Sequence, residues 1–299
     1  MGQRAGAPGL TIRPWGNVKQ VIVTYNPRIA RALPLAGEVA AWIESYGGRA
    51  QVCPITDFSP HLCQTPAGLL VTLGGDGSIL RVARAAATCG IPILGINLGR
   101  VGFLTEIGPG GWQEVLAQIF RGEFWIEERM MLRATVLRGE TLTRRAEALN
   151  DVVVGRGARA RVVHLAISID GGYLTTCVAD GLVIATPTGS TAYALAAGGP
   201  VLSPQSRNIL VVPIAPHLSM AYALVLNEGA TVRLTVAGER PAVLTVDGEV
   251  QERLRSEDEV IIEASQHVAR FARVQERNYF YKTLAKRLMP KQPQVMTDE

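Results

Sequence analysis

Apolar residues follow two rhythms along this 299-residue chain, and the change falls near residue 107. Before it, apolar runs at 18–25, 69–73 and 91–96 alternate with stretches of helical spacing. Unbroken apolar runs predict parallel strands covered on both faces. The segment 29–46 has helical spacing and stops at Gly47-Gly48, a C-cap signal; a short strand is predicted at 50–53 and a helix over 79–87. This alternation predicts an open, doubly wound, Rossmann-like α/β domain. One more helix is predicted over 112–120. Period-2 apolarity at 124–136, 162–169, 173–178, 230–236 and 242–246 then predicts short strands. Asp170-Gly171-Gly172, Glu228-Gly229 and Asp247-Gly248 read as turns. The expectation is an α/β domain over 16–107, a mainly β domain over 108–272, a helix from Phe280 to Met289 stopped by Pro290, and a disordered tail over 291–299.

The most informative single segment is Leu69–Leu73 followed by Gly74-Gly75-Asp76-Gly77-Ser78. Glycines between a strand and a helix let backbone N–H groups reach a phosphate unobstructed, and the helix N-terminus adds partial positive charge. A carboxylate in such a turn repels phosphate, so Asp76 is expected to handle a proton or help hold a cation. The alternative is a helix cap. A P-loop is excluded because it needs a lysine, and the lysines are Lys19, Lys282, Lys286 and Lys291. Gly74-Gly75-Asp76-Gly77 does not match the dinucleotide fingerprint either.

Composition narrows the class. With 47% hydrophobic and 19% charged residues the chain is globular, and a formal charge of +4 suits an anionic small substrate. A nucleic-acid binder would carry a concentrated basic stripe; here the arginines are scattered apart from Arg156, Arg159 and Arg161. The four cysteines are widely separated, so reduced buried thiols are expected. The start has no apolar signal core, Gly6 spoils a myristoylation pattern, and runs such as 208–216 are too short to span a bilayer. A cytoplasmic protein with no membrane or nucleic-acid partner is expected.

Four further segments follow in order: Asn150-Asp151, then Asp180 through Thr186-Pro187-Thr188-Gly189-Ser190-Thr191-Ala192-Tyr193 to Ala197-Gly198-Gly199-Pro200, then Pro213 to His217, then Asp247-Gly248. Together with the glycine turn they closely resemble the NAD kinases, which phosphorylate the adenosine-ribose 2′-hydroxyl of NAD. The resemblance runs from about Val18 to Leu288. It implies that Asp76 is the base and that Gly74, Gly75, Gly77, Ser78 and Arg81 face phosphate, with Ser78 where the family usually has threonine. Asn150 and Asp151 match an Asn-Glu pair that holds adenine and ribose. Asp76, Gly77, Arg161, Val178, Asp180, Thr191, Ala192, Tyr193, Ala194, Leu195, Ala196 and Glu249 fall along the dinucleotide, Asp180 at the nicotinamide end beside a neighbouring subunit. Glu249 stands where Asp-Gly is commonly followed by glutamine. His217 reads as a structural hydrogen-bonder, and Asn97 as a polar contact in a linker where Arg100-Val101 depart mildly from the family.

The resemblance further implies ATP or polyphosphate as donor, Mg²⁺, a homodimer or homotetramer built through the β domains, and a C-terminal segment 273–290 that packs back on the first domain. Magnesium keeps several waters and phosphate oxygens, so no residues are assigned to a protein metal cage. Two other readings stay open. A lipid kinase of the diacylglycerol or sphingoid-base type shares the glycine turn but needs an apolar mouth or membrane-facing helix, which the sequence does not show. A dinucleotide-binding regulator without catalysis would gain nothing from Asp76.

Overall fold

A parallel sheet opens the chain in the computed structural model, which describes residues 20–64, 68–99, 102–157, 161–217, 220–238 and 240–288. The expected tail lies outside these residues, as do Arg100, Val101 and Arg159. The first elements are β1 (Gln20–Tyr25), α1 (Ala32–Ser45), β2 (Arg49–Pro54), a 3-10 turn at Pro60–Gln64, β3 (Leu69–Gly74), α2 (Asp76–Cys89), β4 (Ile93–Asn97) and α3 (Trp112–Phe120). The strands pair in the order β2-β1-β3-β4, all parallel. Val21, Val23, Val71 and Leu73 face α1 and α3 through Ala36, Val39, Ile43 and Leu116. Ile22, Leu70 and Ile93 face α2 through Ile79, Val82 and Ala86. Burial on both faces is why these strands read as unbroken apolar runs.

The remaining strands are β5 (Trp125–Arg138), β6 (Thr141–Ala148), β7 (Asp151–Arg156), β8 (Val163–Ile169), β9 (Gly172–Ala179) and β10 (Gly181–Ala185). The short helix α4 (Tyr193–Ala196) follows, then β11 (Asn208–Ile214), β12 (Leu224–Asn227), β13 (Val232–Val236), β14 (Ala242–Val246), β15 (Glu249–Leu254), β16 (Glu259–Arg273) and the helix α5 (Tyr279–Leu288). A six-stranded sheet runs β12-β11-β10-β7-β14-β15. It packs on β5, β8, β13 and β16 over a core that includes Leu132, Val154, Leu165, Ile184, Val211, Leu234, Leu244 and Ile262.

β16 ties the two halves together. It pairs with β5 along its length, with β13 at its start, and with β4 through Phe271 beside Ile93 near its end. The first sheet is therefore continuous from β2 to β9. Tyr279 and Phe280 at the start of α5 pack on Phe103, in the connection out of β4.

Two expectations are corrected. The helix after the glycine turn begins at Asp76, three residues earlier than its apolar spacing suggests, because Gly75 supplies an extended N-cap. Cys63 and Cys89 are not reduced thiols: they form a disulfide with Cα atoms 6.0 Å apart. Packing of the 3-10 turn against the end of α2 brings together residues that lie 26 apart in sequence. Cys53 and Cys177 are not in disulfides, and Cys177 is buried.

Candidate active site

The strand order 2-1-3 reverses direction between β1 and β3, and the carboxyl ends of those two strands open a crevice there. β3 ends at Gly74 and β1 at Tyr25-Asn26. A cavity of about 410 Å³ fills the crevice, lined among others by Asn26, Arg28, Gly75, Gly77, Arg81 and Arg84. Asn26 Nδ2 donates to Ser78 Oγ (3.0 Å), so Ser78 joins the two strand ends. A Cβ on Gly74 would sit 2.2 Å from that hydroxyl oxygen, which makes glycine obligatory there. The first turn of α2 faces the same space, so backbone N–H groups and the three arginines give the cavity a positive field suited to an anion.

Asp76 does not cap its own helix, for no side chain caps α2. Its Oδ2 accepts the Phe103 N–H (2.8 Å) and its Oδ1 the Leu104 N–H (3.1 Å). Gly102 lets this loop close on the carboxylate, since a Cβ there would lie 1.7 Å from Oδ1.

Asn150 and Asp151 follow the β6–β7 turn, which Asp247 holds from beneath. Asp247 Oδ2 accepts the Leu149 N–H (3.0 Å), and Oδ1 accepts those of Asn150 (2.8 Å) and Asp151 (3.2 Å). Asp247 also lines the arginine-bearing cavity, so it links the two parts of the site. Burial pushes the Asp247 carboxyl up despite those three donors. Asp151 is only 6% exposed, and burial, followed by the Asp247 charge, pushes its carboxyl up to about 7.

The segment 186–193 is stapled to the same turn. The Thr186 N–H donates to the Asn150 carbonyl (2.8 Å) and Thr186 Oγ1 to that of Leu149 (2.6 Å). A Cβ on Gly189 would come within 2.0 Å of the Asn150 carbonyl oxygen. Ser190 is structural: its hydroxyl donates to Pro187 O (2.7 Å) and accepts the Leu202 N–H (3.0 Å). Thr191 Oγ1 donates to Thr188 O, Ala194 is buried against the β10–β11 face, and Ala192, Leu195 and Ala196 are partly or fully open to solvent. Tyr193 is exposed and borders a second cavity of about 600 Å³ with Gly155, Arg156, Asp180, Thr245 and Val250. Asp180 there pairs with Arg156 (3.1 Å).

Some expected residues lie elsewhere. Arg161 is exposed and lines neither cavity. The Val178 carbonyl accepts the backbone N–H of His217 (2.7 Å). Asn97 is buried and its Oδ1 accepts the Gly99 N–H (2.6 Å), shaping the linker. Glu249 lines the same cavity as Arg81 and Arg84, paired with Arg84 (2.6 Å), and that guanidinium holds its carboxyl below the usual range. Arg84, Asn26 and Arg28 line the cavity and were not singled out by sequence reasoning, which took Asp247 as a turn and motif residue only. Arg84 stands one helical turn past Arg81, and Asn26-Pro27-Arg28 directly follows an apolar strand; both were usable signals.

No group of three or more His, Cys, Asp or Glu side chains converges as a metal site among the described residues. Asp76 and Asp247 already accept backbone N–H groups, and Glu249 pairs with arginine. This donor set fits a cation carried on phosphate oxygens and water.

Known proteins share this fold. The ATP-NAD kinase N-terminal domain family matches residues 54–124 and the ATP-NAD kinase C-terminal domain family residues 149–274. An NAD kinase of Chloroflexus aurantiacus is 39% identical over 91% of this chain and 99% of its own length. One from Dehalococcoides mccartyi is 38% identical over 90% of this chain and 96% of its own. Yeast NADH kinase in complex with NADH superposes with a TM-score of 0.80 at 25% identity, covering 94% of this chain and 90% of that one. An Archaeoglobus fulgidus NAD kinase in complex with ATP gives 0.72 at 26%, covering 89% and 98%. With both domain families matched in order and relatives at 38–39% identity along nearly the whole chain, it belongs to the NAD kinase family, phosphotransferases that convert NAD to NADP.

Proposed function

We propose that this chain transfers the γ-phosphoryl group of ATP to the adenosine-ribose 2′-hydroxyl of NAD, with Asp76 as the base. The observation that carries the reading is the placement of Asp76 at the N-terminus of α2, beside the arginine-lined cavity at the β1–β3 crevice. The triphosphate lies in that cavity against Gly75, Gly77, Arg81 and Arg84. The dinucleotide's adenosine lies along Asn150, Asp151 and Thr191, and its nicotinamide end points toward Asp180. The ribose oxygen attacks the γ-phosphorus in line, the bond to the β-phosphate oxygen breaks, ADP leaves, and Asp76 receives the hydroxyl proton. Mg²⁺ on the phosphates supplies charge neutralisation when bound.

The Asp76→Asn variant tests this by NADP formation. Loss of a positioned base typically costs about 10²–10⁴-fold in turnover with dinucleotide affinity kept; near-normal turnover overturns the assignment. Parallel assays with inorganic polyphosphate and with NADH settle donor and acceptor choice. We further propose that 16–107 with 273–290 serves the donor and 108–272 the dinucleotide. A homodimer or homotetramer is proposed through the six-stranded sheet, supported by exposed Tyr193, Tyr222, Val225 and Val250; light scattering against concentration tests it. Among the described residues no helix is long and apolar enough to cross a membrane. A cytoplasmic location is proposed and is tested by fractionation, with alkylation of Cys63 and Cys89 as the redox report.

A further inference from the structure

Beneath the loop that grips Asp76 lies a buried ionic network that the phosphoryl-transfer reading does not use. Arg273, the last residue of β16, has a side chain 1% exposed. Its Nε donates to Glu127 (2.9 Å), and its NH1 to Glu106 (3.0 Å) and to the Leu104 carbonyl (3.1 Å). The plane of the guanidinium packs on the rings of Phe271 and Tyr279, and NH2 has no hydrogen-bond partner. Glu106 in turn accepts the N–H groups of Val274 and Gln275, each at 2.8 Å. The loop 104–106 is thus clamped to the end of β16 from below, while Leu104 offers its N–H to Asp76 above.

A purely stabilising contact gains little from burying an arginine and two glutamates, because replacing such groups with apolar side chains is often neutral or better. Holding a backbone donor at a fixed place is a task that an apolar contact cannot perform, since it has no directional bond to the Leu104 carbonyl. We propose that Arg273 is a positioning residue for the phosphoryl transfer. It fixes Leu104, and through the Phe103 and Leu104 N–H groups it holds the Asp76 carboxylate at the angle from which it meets the ribose hydroxyl. The inference rests on the reading of Asp76 as the base.

The test measures kcat and KM for ATP and NAD, with circular dichroism as the control for folding. Arg273→Lys keeps the charge but cannot span Glu127, Glu106 and the Leu104 carbonyl together. It is expected to lower kcat by about 10²-fold, the scale of an ångström-sized misplacement, with both KM values within about threefold. Gly102→Ala forces the loop off Asp76 without touching the buried ions and should give the same pattern. Should the lysine variant not fold, the charge-balanced Glu106→Gln/Arg273→Gln variant replaces it. A folded variant with normal kcat overturns the proposal, as does a change confined to KM. A rise in kcat also overturns it, by showing that the loop withholds the base. Normal kcat in Gly102→Ala overturns it whatever happens at Arg273. If Asp76→Asn is itself active, the base assignment falls first; if only Asp76→Asn is impaired, the positioning role falls alone.

Discussion

Replacing Asp151 with Asn exposes what the buried carboxyl does to the fold and to the ligand. Burial, then the neighbouring Asp247, raises the carboxyl from 3.8 to about 7. The unfolded chain gives up this proton near pH 4, whereas the folded chain keeps it until about pH 7. Between those values the unfolded state binds fewer protons, so stability is fully present at low pH and falls as pH rises. At about 1.4 kcal/mol per tenfold change in proton affinity, the loss by pH 8 is on the order of 4 kcal/mol. Asparagine matches the protonated acid in shape and carries no charge. The Asn variant should therefore equal the wild type only below about pH 4 and exceed it increasingly above, by roughly 10 °C in Tm at pH 8. Thermal unfolding of both proteins from pH 5 to 8.5, followed by circular dichroism, measures the divergence. In parallel, the wild-type KM for NAD should fall as pH passes upward through about 7 and the charged carboxylate becomes available to accept a ligand hydroxyl, while the variant's KM stays flat. Parallel stability curves across the whole range would refute the reasoning, because they would mean that Asp151 carries no buried proton.

Other perturbations reach different parts of the structure. Gly189→Ala places a methyl group 2.0 Å from a backbone oxygen of Asn150, so overpacking should destabilise the fold by about 1–3 kcal/mol and raise the KM for NAD, read by unfolding and kinetics. Arg84→Ala should raise the KM for ATP about tenfold or more with kcat little changed, whereas Glu249→Gln, which frees Arg84, should lower it. Cys89→Ser should lose up to about 3 kcal/mol of stability, the chain-entropy value for a loop of this length, with turnover retained; denaturant titration with and without reductant checks it.

Much of the site was legible because its chemistry is local. A strand running into Gly74-Gly75-Asp76-Gly77 places glycines and a carboxylate at a helix start whatever surrounds them, and the crevice formed where strand ends of that kind belong. The hydroxyl-rich 186–193 segment and the Asn150-Asp151 pair lie in adjacent strands and turns, and they meet directly. The parallel strands β1, β3 and β4 were visible as unbroken apolar runs, and β8, β9, β13 and β14 as alternating ones. β6 was not, since it is largely polar: Arg144, Arg145 and Glu147 occupy a strand whose pairing with β5 supplies what apolarity does not.

The sequence by itself determined the α/β-to-β order of the elements, the glycine turn and the residue types proposed to meet phosphate and dinucleotide, because each depends on neighbours within a few positions. Only the tertiary structure decided what those residues touch. Asp247 lies under a turn 96–98 residues away, Arg84 meets Glu249 across 165, and Arg273 reaches Leu104 across 169. Pairings at that separation are set by strand order and by the reach of β16 into both halves of the molecule. Spacing along the chain carries no trace of them, because a side chain's partner across a sheet is fixed by register and topology and not by its own sequence neighbours.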